Sequence, residues 1–185
     1  MVREYWNKRS SSWIKGRDKR ESSDIVEKYV DYIQEFISND SVVLEVGCGT
    51  GRYSHFFSQV KRLHSFDFMP NFVEVAKSIS PSNADVFVDD VTELKFNSPV
   101  DLIFTMTVLQ HVKDIDFAVA NLCNLNASNI ILLEGDLNIP NSHYQFQHDY
   151  VSIFSEFGFE LYHSFYLHDS LPHTMVYHFR RLNDG

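Results

Sequence analysis

Apolar positions along the chain change period several times, and each change marks an element. Ile25, Tyr29, Ile33 and Ile37 fall on one stripe at helical spacing, with Val26, Val30 and Phe36 beside it. That pattern predicts a helix from Asp24, capped by Ser23 or Asp24. Strand-length apolar runs recur at 41–46, 63–68, 85–89, 100–109 and 129–135. Helical stretches separate them: a short one at 52–60, one at 70–79 opened by Pro70, and one from Asp114 to Leu125. "HDYVSIFSEFG" (148–158) reads as an amphipathic helix with a glycine stop.

The end of the chain differs. "FELYHSFYLH" (159–168) and "HTMVYHFRRL" (173–182) are two strands joined by "DSLP", a link too short for a crossover helix, so they run antiparallel. The order predicts an α/β fold: a doubly wound, mostly parallel seven-stranded sheet with helices on both faces and a C-terminal antiparallel hairpin. Right-handed crossovers then put ligands at the carboxyl ends of the strands. Residues 1–22 stand apart as a basic, aromatic arm, softened by "SSS" at 10–12, and 23–185 form a single domain.

"VVLEVGCGTG" (42–51) ends the first strand in a glycine bend. Free backbone N–H groups at such a bend suit a polar or anionic ligand group, and glycine removes the Cβ that would hold it off. Dinucleotides and S-adenosylmethionine both use such bends. The dinucleotide pattern G-x-G-x-x-G needs a third glycine where this chain has Arg52. Glu45 is also a poor neighbour for pyrophosphate and a good one for an ammonium.

"VVLEVGCGTGRYS" resembles motif I of the class I S-adenosylmethionine-dependent methyltransferases, and the strand order resembles theirs from about Asp24 onward. The resemblance implies that Glu45, Gly47, Cys48, Gly49 and Gly51 hold the amino-acid end of S-adenosylmethionine. In "FDFMP", Asp67 ends the second strand, where its carboxylate suits the vicinal ribose hydroxyls, with Phe68 and Met69 on the adenine face. In "VDDVTEL", the family's adenine-reading acid and amide fall on Asp90 and Val91, with Asp89 one register away. In "FTMTVLQHV", Thr105 and Met106 match backbone carbonyls near the methionine, and Gln110 and His111 follow on the acceptor side. The proline-rich segment of the DNA and protein amide methyltransferases is missing here.

Methyl transfer from a sulfonium needs alignment, a neutral amine or a hydroxyl with a general base. Histidine serves a hydroxyl without a large pKa change. His111, after the fourth strand, leads the candidates, followed by His143 and His148; His163, His168, His173 and His178 belong to the hairpin as surface or packing residues. "NSHYQFQHDYVSIFSEFGFEL" resembles a segment of small bacterial methyltransferases that modify sugars and other metabolites, which favours a small acceptor with a sugar or glycan hydroxyl. Asp136 and Asn138 are an incomplete metal set, so no metal is assigned. The arm "YWNKRSSSW" is expected to fold over the cofactor, the alternative being a solvated tail.

Charge refines this. The chain carries a net −9, yet residues 1–20 are +5 and the remainder −14. An acidic body argues against duplex nucleic acid, while the basic arm leaves an RNA or protein acceptor as an alternative. A non-catalytic cofactor-binding or scaffold subunit of the same fold is the other. Cys48 and Cys123 form no disulfide framework, and no run reaches membrane-spanning length, so a cytoplasmic location is expected.

Overall fold

The computed structural model describes residues 2–15, 24–138, 142–167 and 173–182, with the side chains of 24–26 left out. The expected cap at Ser23 or Asp24, His168 and the "DSLP" link lie outside the described residues.

Seven strands form one sheet: β1 (Val42–Val46), β2 (Arg62–Asp67), β3 (Ala84–Val88), β4 (Leu102–Met106), β5 (Asn129–Gly135), β6 (Phe159–Tyr166) and β7 (Thr174–Arg181). Their order is β3-β2-β1-β4-β5-β7-β6. β7 runs antiparallel to both β5 and β6, and every other pairing is parallel. The helices are α1 (Val2–Lys15), α2 (Asp24–Gln34), α3 (Pro70–Ile79), α4 (Ile115–Cys123) and α5 (Tyr150–Glu156).

Strand alternation splits the core between the two faces. Leu44, Ile103, Ile130 and Leu132 pack with Ala118 and Leu122 of α4 and Phe154 of α5. Their neighbours Val43, Leu102, Ile131 and Leu133 pack on the other face against Tyr29, Val30 and Ile33 of α2. These residues are at or near 0% exposed, and each buried Val, Leu, Ile or Phe side chain contributes about 1.5–3 kcal/mol. Among the hairpin histidines, His178 is buried, its ring between the Tyr32 hydroxyl (3.0 Å) and Asn129 Oδ1 (2.9 Å).

Two local expectations are corrected. The helix expected at 52–60 is only a 3-10 turn, Ser54–Phe57. Ser54 donates to Glu45 on β1, and Asn83 Nδ2 takes the Phe57 and Val60 carbonyls that a longer helix would use. The serines at 10–12 lie inside α1, where the Ser10 and Ser12 hydroxyls donate to carbonyls one turn earlier. Among the described residues no helix is long and apolar enough to cross a membrane.

Candidate functional site

The strand order reverses between β1 and β4, so the loops leaving their carboxyl ends diverge and open a crevice. The glycine bend forms its floor. Gly47, Gly49 and Gly51 have φ of 69°, 54° and 81°, the left-handed region where a side chain is strained. A Cβ on Gly47 would collide with Val108 after β4, and one on Gly51 would lie 3.0 Å from Ala76 Cα of α3. A Cβ on Gly49 would meet nothing, because that residue faces the crevice.

Part of the expected row of amides is spent within the protein. Cys48 N–H donates to Phe66 O (2.9 Å), Gly49 N–H to Asp67 Oδ2 (2.9 Å) and Gly51 N–H to Cys48 O (2.9 Å). The bend therefore offers bare surface and close packing, with these three donors spent inside the protein. Cys48 lines the crevice, and burial pushes its thiol well above the ordinary value, so it stays protonated.

Glu45 lies behind the bend, 1% exposed, and lines neither cavity described below. Its Oε2 accepts from Ser54 Oγ (2.8 Å) and Ser65 Oγ (2.7 Å), while Oε1 is buried with no partner among the described residues. Burial pushes its pKa up to about 7, against the lowering by the two serine hydroxyls. The native state thus holds the proton more tightly than the unfolded chain. The resulting stability is full below the ordinary value of 4.5 and is lost as pH rises through 7. A permanently neutral Glu45→Gln variant is expected to gain about 3 kcal/mol on wild type between pH 4.5 and pH 8. Urea midpoints at both ends of that range check this, and a gap that does not change with pH refutes it.

Two cavities meet at Gly47, Asp67, Phe68, Val108 and His111. The larger, about 530 Å³, runs along the ends of β2 and β3 past Asp89, Asp90 and Val91. The smaller, about 190 Å³, is walled by Trp6, Trp13, Tyr53, Phe68 and Phe72. Asp67, 7% exposed, stands where they join, with Oδ1 accepting from Met69 N–H (2.9 Å) and Oδ2 from Gly49 N–H. Burial raises its pKa to about 6 in spite of these bonds.

Asp89 and Asp90 divide their work. Asp89 accepts from the N–H groups of Asp90, Lys95 and Phe96, which shapes the loop after β3. Asp90 caps the 3-10 turn Val91–Glu93 through Thr92 and meets Arg3 of α1 at 2.8 Å. Val91 opens that turn, so its N–H has no partner within it. Phe68 lies on both cavity walls, whereas Met69 is buried at the start of α3 and lines neither.

The loop after β4 hangs on Glu134, which the sequence did not single out. Fully buried at the end of β5, its Oε1 accepts from Thr105 Oγ1 (2.6 Å), Val108 N–H (2.9 Å) and Leu109 N–H (3.0 Å), and its Oε2 from Gln110 N–H (3.1 Å). Thr105 is consequently turned away from both cavities, and its carbonyl lies 2.6 Å from the Tyr29 hydroxyl. Gln110 is also drawn inward, its side chain accepting from Gly135 N–H (2.8 Å). Met106 does reach the smaller cavity.

Of the three histidine candidates, His111 alone lines the crevice. Its Nδ1 contacts the carbonyl of Tyr144, and its ring stands edge-on to Trp6 at 5.5 Å. Burial holds its pKa below 6.5. His148 is buried and gives Nε2–H to Val112 O (2.8 Å), a tie between loops. His143 is exposed. Asp136 accepts from Asn138 N–H (2.7 Å) and the Tyr166 hydroxyl (2.7 Å), away from both cavities.

Helix α1 covers the crevice. Arg3 reaches Asp90 and Phe68, Tyr5 stacks on Tyr144 at 4.0 Å between ring centres, and Trp6 meets Phe72 and His111. The Arg3–Asp90 pair is exposed and contributes at most about 1 kcal/mol, so the aromatic contacts hold the helix.

Comparison with known proteins gives this crevice a context. Residues 43–128, from β1 to the residue before β5, match the family model of a methyltransferase domain. No curated protein matches the sequence. The fold is similar to magnesium protoporphyrin IX methyltransferase from Synechocystis PCC 6803 with bound SAH, at TM-score 0.77 and 15% identity over 97% of this chain and 98% of that one. It is similar to a TehB-like SAM-dependent methyltransferase from Corynebacterium glutamicum, at TM-score 0.74 and 18% identity over 96% and 98%. A SAM-dependent methyltransferase from Aquifex aeolicus is similar at TM-score 0.72 and 13% identity over 91% and 98%. With its glycine bend and its sheet order, the chain has the Rossmann-like fold of these S-adenosylmethionine-dependent methyltransferases, and residues 43–128 match a methyltransferase domain.

Proposed function

We propose that the chain transfers a methyl group from S-adenosylmethionine to a hydroxyl of a small, ring-bearing acceptor, with a sugar or glycan as the first candidate and His111 as general base. The observation that carries this reading is the His111–Tyr144 contact. A carbonyl can only accept, so Nδ1 holds the ring proton and Nε2 keeps its lone pair. Burial keeps the ring neutral at working pH, which a base requires. The aromatic walls of the smaller cavity suit the apolar face of a ring.

The donor fits the remaining surfaces. After the Gly49 and Met69 bonds, the Asp67 oxygens retain lone pairs for ribose hydroxyls. Phe68, Asp90 and the Val91 N–H would meet adenine in the larger cavity. Bound there, the donor supplies an already activated methyl group. His111 Nε2 takes the hydroxyl proton as the acceptor oxygen bonds to carbon and the carbon–sulfur pair returns to sulfur. Helix α1 excludes water while this happens.

Transfer of labelled methyl to a panel of sugars, phenols, amines, RNA and peptides tests the reading. Label on hydroxyls supports it; label confined to amines, RNA or peptides ends it. Asp67→Ala is expected to weaken donor binding by about 10- to 100-fold, because a charged acceptor and the anchor of Gly49 go together. Unchanged affinity in calorimetry removes the ribose role.

A further inference from the structure

Arg52 lies on the wall of the aromatic cavity, directly after the glycine bend. Its guanidinium carbon is 5.6 Å from the centre of the Tyr53 ring. Nε is closed off from water with no partner, and no hydrogen bond or ion pair ties the group to any described residue. It is also the only permanent cation lining that cavity among the described residues, since His111 is held neutral and Asp67 is an acid.

The Nε–H of Arg52 is thus a donor closed off from water that a ligand in the cavity can complete. The planar guanidinium fork matches a carboxylate, and it sits on a largely aromatic wall. In the bend, Cys48, Gly49 and Gly51 have already spent their N–H groups, and Arg52 is the charged donor beside it. Asp67 lines the same cavity as an acid, so the cavity presents both signs of charge and suits a group with separated charges. We propose that Arg52 is the carboxylate-recognition residue of this cavity.

The proposal rests on the methyl-transfer reading above, and the carboxylate has two sources there: the amino-acid end of the donor, or the acceptor. Calorimetry separates them. S-adenosylhomocysteine carries the amino-acid end; 5′-methylthioadenosine lacks it. If the donor is the source, Arg52→Gln weakens S-adenosylhomocysteine by about 10- to 100-fold and leaves 5′-methylthioadenosine within about two-fold. Arg52→Lys, which keeps the charge without the fork, falls between. If the acceptor is the source, S-adenosylhomocysteine is unaffected. Benzoate then loses binding to the S-adenosylhomocysteine-saturated variant, while benzamide does not discriminate variant from wild type.

Equal weakening of both nucleosides, or no change with any of the four probes, overturns the Arg52 assignment. Wild-type protein that binds neither nucleoside overturns the donor site instead, and the benzoate and benzamide pair on the ligand-free protein then decides Arg52 by itself.

Discussion

His111→Ala is expected to lose about 100- to 10,000-fold in methyl-transfer rate, the range of general-base catalysis, with donor affinity within about two-fold of wild type. The separation follows from the geometry. In the proposed reaction His111 offers the donor a wall, whereas its Nε2 lone pair acts only on the acceptor proton. Losing the edge-on contact with Trp6 costs about 0.5–1.5 kcal/mol. The rate loss corresponds to about 3–5 kcal/mol, so catalysis decides the phenotype. His111→Gln restores a donor to the Tyr144 carbonyl without restoring a base, and is expected to stay slow. Burial places the working pKa below 6.5. Wild-type rate therefore rises with pH to an inflection below 6.5 and stays level above it, and both variants lose that inflection. A variant with a near-normal rate, or an inflection that survives it, assigns the base elsewhere.

Local signals were legible in the sequence. Pro70 sets the start of α3, and the run at 129–135 is β5 to the residue, because a first-turn proline and a buried apolar run act within their own segments. The short link after β6 fixed its direction relative to β7. The site was legible as a place and less so as a set of contacts. Gly47 and Gly51 are needed by Val108 and Ala76, partners brought up by the fold and invisible from the motif. Gln110, after β4, looked acceptor-facing, yet it is drawn inward because Glu134 at the next strand's end accepts its N–H and its side chain accepts from Gly135 N–H. A glutamate inside "NIILLEG" is the signal that could have disclosed this. A charge at the end of a buried strand must be matched by donors from a neighbouring loop.

Glu134→Ala is expected to be the most destabilising substitution in the site. It leaves the Thr105 hydroxyl and the N–H groups of Val108, Leu109 and Gln110 without their acceptor. An unsatisfied buried donor costs about 1–3 kcal/mol. Relaxation and entering water keep the sum well below four times that, so about 4 kcal/mol is expected, a large part of a domain's 5–15 kcal/mol. Glu134→Gln keeps the shape and one acceptor oxygen, and turns an amide N–H₂ toward a backbone N–H, so about 1–2 kcal/mol follows. Its pH behaviour identifies the cause. Burial, opposed by the Thr105 hydroxyl and the three amides, still holds Glu134 above its ordinary 4.5. Wild-type stability from this group is full below 4.5 and declines as pH rises past it. The glutamine variant therefore closes the gap as pH rises. The same variant should lower turnover more than donor affinity, because Glu134 sets the loop that carries His111. Urea denaturation at pH 5 and 8, with turnover and calorimetry on the glutamine variant, reads all three effects. An alanine variant within about 1 kcal/mol of wild type means the loop after β4 holds its shape without this carboxylate.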